Sequence, residues 1–200
     1  MNLLYALDLI GTLVFAISGL RLAAKKDMDI FGATVIACVT AVGGGTVRDL
    51  LLGATPVAWI VNIHYPIAII SAVPITIVFK KYIINMKRTI FIFDSVGIAL
   101  FTISGMEKAL EYGLNPGLAM AMGMVSAVVG GVIRDLLCNE IPLIFRKEIY
   151  ATACLTGALF FFILSELGVN TDLNYILTIS VIFTIRVVAI KFNLSMPKMR

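Results

Sequence analysis

The sequence predicts an all-α integral membrane protein with seven transmembrane helices, built as an inverted three-plus-three helix repeat and a seventh helix. Three observations lead to this fold class. The 200 residues are 60% hydrophobic and 14% charged, whereas water-soluble domains are about 45–50% apolar and about 25% charged. The apolar runs exceed ~18 residues, the length of a spanning helix rather than of a barrel strand. A segment of the chain also recurs 86 residues later.

The predicted helices are seven apolar runs, each bounded by charged residues or by proline and glycine. The chain length leaves room for these spans but for no sizeable soluble catalytic or nucleotide-binding domain. The first run has no basic segment before it and no obvious small-residue cleavage site, so we expect a retained first span. In chain order, the spans lie near residues 3–24, 30–52, 57–79, 89–110, 116–138, 148–168 and 173–192.

The basic residues predict the direction of the chain. Of sixteen lysines and arginines, twelve fall in loops on one side of an alternating chain, and only Lys108 falls on the other. The positive-inside rule therefore predicts an external N-terminus and a cytoplasmic C-terminus. These loops account for the net charge of +4, and no basic run is dense enough to predict nucleic-acid binding. The twelve are Arg21, Lys25, Lys26, Lys80, Lys81, Lys87, Arg88, Arg146, Lys147, Lys191, Lys198 and Arg200.

Residues 8–56 repeat at 94–142 without a gap, with 18 identities in 49 pairs. Each copy holds three predicted spans, and an odd number makes the second copy enter the membrane from the opposite side. We predict one transmembrane domain over 1–200, with a first repeat over 1–86, an inverted repeat over 87–172, and a seventh helix with a tail over 173–200. The aligned motifs are Asp8 with Asp94, and Gly44-Gly45-x-x-Arg48-Asp49 with Gly130-Gly131-x-x-Arg134-Asp135.

Consecutive glycines stand beside the charged residues of the second and fifth spans. Each glycine weakens a helix by about 1 kcal/mol relative to alanine, which favours a broken or kinked helix that lines a pathway. The carbonyls at such a break suit cations, its N–H groups suit anions, and both together suit a zwitterion such as a small amino acid. Tight helix packing on small residues is the alternative. The glycines are Gly43, Gly44, Gly45, Gly130 and Gly131.

Each repeat also carries an arginine inside a span. Such an arginine costs at least ~2.5 kcal/mol at the bilayer centre, so we expect it to face protein or water and to have a partner. The aspartate that follows each arginine would not face it on a regular helix. Separate snorkelling of these groups to opposite interfaces is the alternative. We therefore predict two ionic contacts, Asp8 with Arg48 and Asp94 with Arg134.

The seven spans, the duplicated halves and the two Gly-Gly-x-x-Arg-Asp motifs resemble the prokaryotic members of the trimeric intracellular cation (TRIC) channel family. Related bacterial proteins have been described as glycine transporters. The resemblance implies a homotrimer in the cell membrane, with an hourglass pore in each protomer that passes chiefly potassium. It also implies that kinked second and fifth helices line this pore. The implied pore and gating residues are Gly43–Gly45, Arg48, Asp49, Gly130, Gly131, Arg134 and Asp135.

The leading hypothesis is therefore a potassium-permeable channel. The alternative is a secondary transporter of glycine or another small amino acid. An enzyme is not expected, because the sequence has no His/Glu metal cluster and no pairing of a nucleophile with a base. We accordingly expect no catalytic residue, metal or cofactor; the expected partners are other copies of the chain, membrane lipids and permeant potassium ions.

Overall fold

The computed structural model describes residues 3–83, 89–145 and 149–194, which form nine α-helices and one 3₁₀ turn, Leu143–Phe145. Several residues used for the sequence predictions lie outside these described ranges: Lys87, Arg88, Arg146, Lys147, Lys198, Arg200 and the predicted start of the sixth span at residue 148. The helices are α1 Leu3–Lys25, α2 Ile30–Leu52, α3 Ala58–Val61, α4 His64–Val78, α5 Lys80–Ile83, α6 Thr89–Glu111, α7 Pro116–Leu137, α8 Ala151–Glu166 and α9 Thr171–Lys191.

Five of these helices, α1, α2, α6, α7 and α9, begin and end within two residues of a predicted span. Four of the helices in the described ranges are long and apolar enough to cross a membrane: α1, α2, α7 and α9. Shorter apolar helices are α4 and α8. Many large apolar side chains on these helices face outward, including Phe31 and Val78, which suits a hydrocarbon environment. The chain is an all-helical, multi-pass membrane protein.

The third predicted span, 57–79, is not one helix, and that prediction is wrong. The chain divides into α3 and α4 at Asn62, which has an extended backbone. The side-chain oxygen of Asn62 accepts a hydrogen bond from the backbone N–H of His64 at 3.0 Å. This bond supplies a partner for a free N–H group at the start of α4, as an N-cap does. A local side-chain bond therefore interrupts a run that composition alone marks as continuous.

The N-termini of α2 and α7 are capped in the same way, at positions 86 residues apart. The Asp29 carboxylate accepts from the Gly32 N–H at 2.7 Å, and the Asn115 side chain accepts from the Leu118 N–H at 3.0 Å. Such caps typically contribute about 1 kcal/mol each. At the other end of α2, Gly53 takes the left-handed conformation with φ +69°, which glycine adopts without steric cost.

The centre of the fold is a ring of four helices in which α1 contacts α2, α2 contacts α7, α7 contacts α6, and α6 contacts α1. Phe15 of α1 meets Phe101 of α6 with ring centroids 5.1 Å apart. The neighbouring helices α2 and α7 cross at Gly44 and Gly130. A Cβ at Gly44 would overlap the carbonyl oxygen of Ser126, and a Cβ at Gly130 would overlap that of Thr40. Only glycine permits so close a crossing.

Both α2 and α7 continue through their glycines as uninterrupted α-helices. Of the predicted break or kink at Gly43–Gly45 and Gly130–Gly131, the break is therefore not present. The alternative, tight helix packing on small residues, is observed at Gly44 and Gly130. The intrinsic cost of glycine in a helix is overridden here, because each helix gains a backbone contact with the other. Outside the ring, α4 packs on α1 and α2, α8 packs on α6 and α7, and α9 packs on α6 and α8.

We expect Gly44→Ala to destabilise the assembled protein, because the added Cβ must push α2 away from α7. Overpacking of this kind typically costs about 1–3 kcal/mol. The matched control is Gly45→Ala, since the nearest atom to its Cβ is the end of the flexible Arg48 side chain, 3.6 Å away. Thermal melting of the purified variants measures the difference. Equal melting temperatures for the two variants would contradict the close crossing.

Candidate functional site

Two clusters, each made of charged residues and one serine, lie within the four-helix ring. The first cluster is Arg48 and Asp49 of α2, Lys108 of α6 and Ser126 of α7. The Arg48 Nε donates to Asp49 Oδ1 at 2.8 Å, and its Nη1 donates to Ser126 Oγ at 3.2 Å. Lys108 Nζ also donates to Asp49 Oδ1, at 2.8 Å. The first cluster therefore holds two cations on one carboxylate and links three of the four helices.

The other oxygen of Asp49 caps the short helix α3. Asp49 Oδ2 accepts a hydrogen bond from the backbone N–H of Ala58 at 3.1 Å. A matching bond occurs in the second half of the chain, where Asp135 Oδ2 accepts from the N–H of Leu143 at 3.1 Å. Each carboxylate thus fixes both an arginine and the segment that follows its own helix.

The second cluster is Arg134 and Asp135 of α7, Asp94 of α6 and Ser18 of α1. The Arg134 Nε donates to Asp135 Oδ1 at 2.8 Å. Its Nη1 donates to Ser18 Oγ at 2.7 Å and to Asp94 Oδ1 at 2.9 Å. Here one guanidinium stands between two carboxylates, the reverse of the charge ratio in the first cluster.

The structure places Arg134 against Asp94, as the sequence predicts, but it does not form the predicted pair of Asp8 with Arg48. Arg48 instead contacts Asp49 and Ser126. Each arginine also contacts the aspartate that follows it, so the prediction that these adjacent residues do not face each other is wrong. An arginine side chain is long enough to fold along the helix flank, so its planar fork reaches the short aspartate beside it. The arginines do not snorkel separately, since both are buried among these partners.

The predicted glycines lie beside these groups. Gly45 faces Arg48, with a Cβ position 3.6 Å from Nη2, and Gly131 faces Arg134 in the same way at 3.7 Å. Gly131 also lies against the hydroxyl of Tyr150, at 3.3 Å from its Cβ position. Gly43 packs on Ile133 at the crossing of α2 and α7. Gly45 and Gly131 therefore leave room for the guanidinium groups, whereas Gly43 belongs to the helix contact.

Asp8 of α1 lies beside the first cluster without joining it. Its Oδ2 accepts a hydrogen bond from the Tyr65 hydroxyl at 2.5 Å. Its Oδ1 is buried and has no hydrogen-bond partner among the described residues. A buried carboxylate oxygen without a donor carries a desolvation cost that a cation or water molecule would relieve. Asp8 is therefore the polar group of this region most suited to receive a ligand.

A cavity of about 180 Å³ lies over the first cluster, and its wall includes Asp8, Arg48, Lys108 and Glu111. A smaller space of about 20 Å³ extends from the same group toward Phe101. The second cluster is closed by comparison, because Asp94 and Arg134 are both 0% exposed. The two clusters repeat one sequence motif, yet the first borders a cavity of about 180 Å³, whereas the ion pair of the second is fully buried among the described residues.

Tyr150 covers the second cluster. It is buried, and both its hydroxyl and Asp94 Oδ1 lie within 4 Å of the Cβ position of Gly131, at 3.3 Å and 3.7 Å. Arg186 of α9 lies over the Tyr150 ring, with its Cζ 4.7 Å from the ring centroid, and its Nη1 donates to the Ile149 carbonyl at 2.6 Å. This cation–π contact holds the ring over Asp94. The seventh predicted helix therefore contacts the interior through Arg186.

Sequence reasoning did not single out Tyr65, Tyr150, Ser126 or Lys108 as site residues. Ser18 lies in the repeated Phe-x-Ile-Ser-Gly segment, a signal that could have found it. Tyr65 and Tyr150 offered no such signal, because neither has a tyrosine at the equivalent position of the other repeat. At a spacing of 86 residues, for example, position 150 corresponds to His64. Their roles depend on where α4 and α8 pack, which no local pattern encodes.

Comparison with known proteins gives consistent results over nearly the whole chain. The family model described as Glycine transporter matches residues 5–81 and again 91–166. A UPF0126 membrane protein of Vibrio cholerae is 40% identical over 98% of this chain and 82% of its own. The UPF0126 inner membrane protein YadS of Escherichia coli is 39% identical over 98% of this chain and 95% of its own.

Solved structures agree with these relatives. The TRIC trimeric intracellular cation channel orthologue from Rhodobacter sphaeroides is 38% identical, with a TM-score of 0.91 over 97% of this chain and 100% of that one. A prokaryotic TRIC channel crystallised in KCl is 33% identical, with a TM-score of 0.87 over 95% of this chain and 96% of that one. The chain therefore belongs to the prokaryotic TRIC family, whose sequence model is described as Glycine transporter.

Proposed function

We propose that this protein is a monovalent cation channel, permeable chiefly to potassium, with a pathway inside each chain. The observation that carries the proposal is the buried Asp8 Oδ1, which has no hydrogen-bond partner among the described residues and faces the cavity over the first cluster. Carboxylate oxygens in a low-dielectric wall attract and coordinate cations. The similarity to solved TRIC cation channels supports the same ion sign.

The proposed pathway runs between α1, α2, α6 and α7. A cation enters the cavity at Asp8, passes the aromatic contact of Phe15 with Phe101, and reaches Asp94 in the second cluster. Arg134 and Tyr150 occupy the end of the pathway at the second cluster, so the proposed pathway is closed at that end. Opening requires Tyr150 to leave Asp94, which would free a carboxylate for the ion. The proposed pore and gating residues of the two motifs are Gly45, Arg48, Asp49, Gly131, Arg134 and Asp135. We propose that Gly43, Gly44 and Gly130 act on the pore through the distance that they set between α2 and α7.

We further propose that the chain is one domain of two inverted three-span repeats, 1–86 and 87–172, followed by the seventh span within 173–200. The N-terminus is external, and the C-terminus is cytoplasmic. Supporting contacts recur at a spacing of 86 residues: Gly44 meets Ser126 while Gly130 meets Thr40. A homotrimer in the cell membrane is proposed from the Rhodobacter sphaeroides relative, which is a trimeric channel. The activity is transport rather than catalysis and uses no metal or organic cofactor.

A glycine transporter is the second candidate, favoured by the charge arrangement around the same cavity. Asp8 could bind an ammonium group, while Arg48 and Lys108 could bind a carboxylate, and all three line the space of about 180 Å³. A zwitterionic small amino acid fits such a pairing. The family description as Glycine transporter agrees with this alternative.

Purified protein in planar bilayers and in liposomes separates the two functions. We expect unitary potassium currents that do not depend on glycine, because a channel offers a continuous path with weak sites. Saturable glycine uptake without unitary currents would instead establish alternating access and reject the channel.

We expect Asp8→Asn to reduce potassium conductance roughly threefold or more at low ionic strength, since it removes negative charge from the cavity wall. The reduction should shrink in high salt, which screens the field of the remaining charges. Glu166→Gln, at the exposed end of α8, is the matched control for loss of one carboxylate. Single-channel recordings give both values, and an equal effect of the two variants would count against Asp8 as a pathway residue.

We expect Tyr150→Ala to raise the open probability of the channel, because it removes the ring that covers Asp94. Tyr150→Phe keeps the ring under Arg186 and removes only the hydroxyl near Asp94, so its open probability should be intermediate. Planar-bilayer recordings at fixed voltage measure this order. A lower or unchanged open probability in Tyr150→Ala protein that melts normally would mean that Tyr150 is not the closing element.

A further inference from the structure

A second cavity, of about 540 Å³, lies away from both charged clusters. It opens between the C-terminal end of α1, the N-terminal end of α2 and the C-terminal half of α4. Its volume is within the range of about 300–1,000 Å³ typical of small-molecule sites. The inner wall is apolar, and it is formed by Leu20, Ala33, Val73 and Ile77. The transport pathway proposed through the charged clusters does not use this cavity.

Thr76 is the polar group inside this cavity. Its side chain lines the cavity and is 5% exposed, yet its hydroxyl oxygen has no hydrogen-bond partner among the described residues. Helical threonines within a membrane commonly bond the carbonyl four residues earlier, as Thr40 does with Ile36. A buried hydroxyl without a partner costs free energy, so Thr76 indicates a ligand with a polar atom at this depth.

The polarity of the cavity changes in a definite order along one wall. Lys80 is exposed at the mouth, Thr76 lies four residues earlier and is buried, and the apolar Val73 lies three residues earlier again along α4. A glycerophospholipid has the same order, with a phosphate, then ester oxygens at the glycerol, then acyl chains. Lys80 suits the phosphate as a point charge, and Thr76 suits an ester carbonyl.

The opposite side of the mouth is acidic. Asp27 and Asp29 both line the cavity and are exposed. One oxygen of Asp29 already caps α2 through Gly32, which leaves its second oxygen for a ligand. A headgroup that carries only a phosphate charge would meet one lysine and two carboxylates. A headgroup with both a phosphate and an ammonium group would satisfy both sides of the mouth.

We propose that this cavity binds a glycerophospholipid with a primary-amine headgroup, of the phosphatidylethanolamine class. The phosphate lies at Lys80, an ester oxygen accepts from Thr76, the ammonium group donates to Asp27 and Asp29, and one acyl chain lies along Val73 and Ile77. This inference does not depend on whether the protein conducts potassium or carries glycine, because its site is separate from Asp8 and both charged clusters.

Native mass spectrometry of delipidated protein, titrated with phosphatidylethanolamine or phosphatidylglycerol, tests the proposal. We expect the unchanged protein to bind phosphatidylethanolamine more tightly. Thr76→Val and Lys80→Gln should each weaken that binding about three- to tenfold, the effect of one lost hydrogen bond or ion contact. The double variant Asp27→Asn with Asp29→Asn should lose the preference between the two lipids, while asparagine still caps α2.

Lys81→Gln is the matched control, since Lys81 is exposed beside Lys80 but does not line the cavity. It should bind phosphatidylethanolamine as the unchanged protein does. Melting temperatures establish that each variant is folded, and the exposed position of Lys80 keeps the test open if Thr76→Val fails to fold. Equal binding of the two lipids, or equal effects of Lys80→Gln and Lys81→Gln, would overturn the proposal. Lipid binding to single chains but not to oligomers would also overturn it, and would assign the cavity to a neighbouring copy.

Discussion

The close approach of α2 and α7 at Gly44 and Gly130 is the contact on which the interior depends. A side chain at either position would overlap the opposite backbone, so glycine sets the distance between the two helices. That distance brings Ser126 of α7 within reach of Arg48 on α2. The intrinsic weakness of glycine in a helix, about 1 kcal/mol relative to alanine, is outweighed by packing and by the polar contacts that the crossing permits.

Buried guanidinium groups impose the second constraint. An isolated charge in an apolar interior is very costly, and a buried ion pair needs good geometry to offset the loss of water. Arg48 and Arg134 meet this need with an adjacent aspartate and a serine from another helix. Asp49 and Asp135 in turn bind the N–H groups of Ala58 and Leu143. The clusters therefore connect the ring to the segments outside it as well as balancing charge.

The two halves carry the same motif but build different environments around it. Lys108 binds Asp49 in the first cluster, whereas the position 86 residues earlier is Leu22, which is apolar and buried. Tyr150 lies beneath Arg186 and against Gly131 of the second cluster's helix, whereas position 64 is a histidine that contacts Tyr5. These substitutions leave one cluster beside a cavity and the other enclosed. In the proposed pathway, the end at the first cluster is open and the end at the second is closed, as a gated transport protein requires.

The membrane class, the ends of five long helices to within two residues, and the duplicated charged motif can all be predicted from the sequence, because apolar length and residue identity are local properties. The ionic contact of Asp94 with Arg134 was also predicted. The structure was needed to show that Arg48 contacts Asp49 and Ser126 rather than Asp8, that the helices continue through their glycines, and that Asn62 divides the third apolar run. The first two outcomes depend on which groups the neighbouring helices bring into contact, whereas the division at Asn62 depends on a local side-chain hydrogen bond that hydrophobicity does not reveal. Helix packing determines the contacts of Arg48 and of the glycines, and the sequence repeat alone does not predict them.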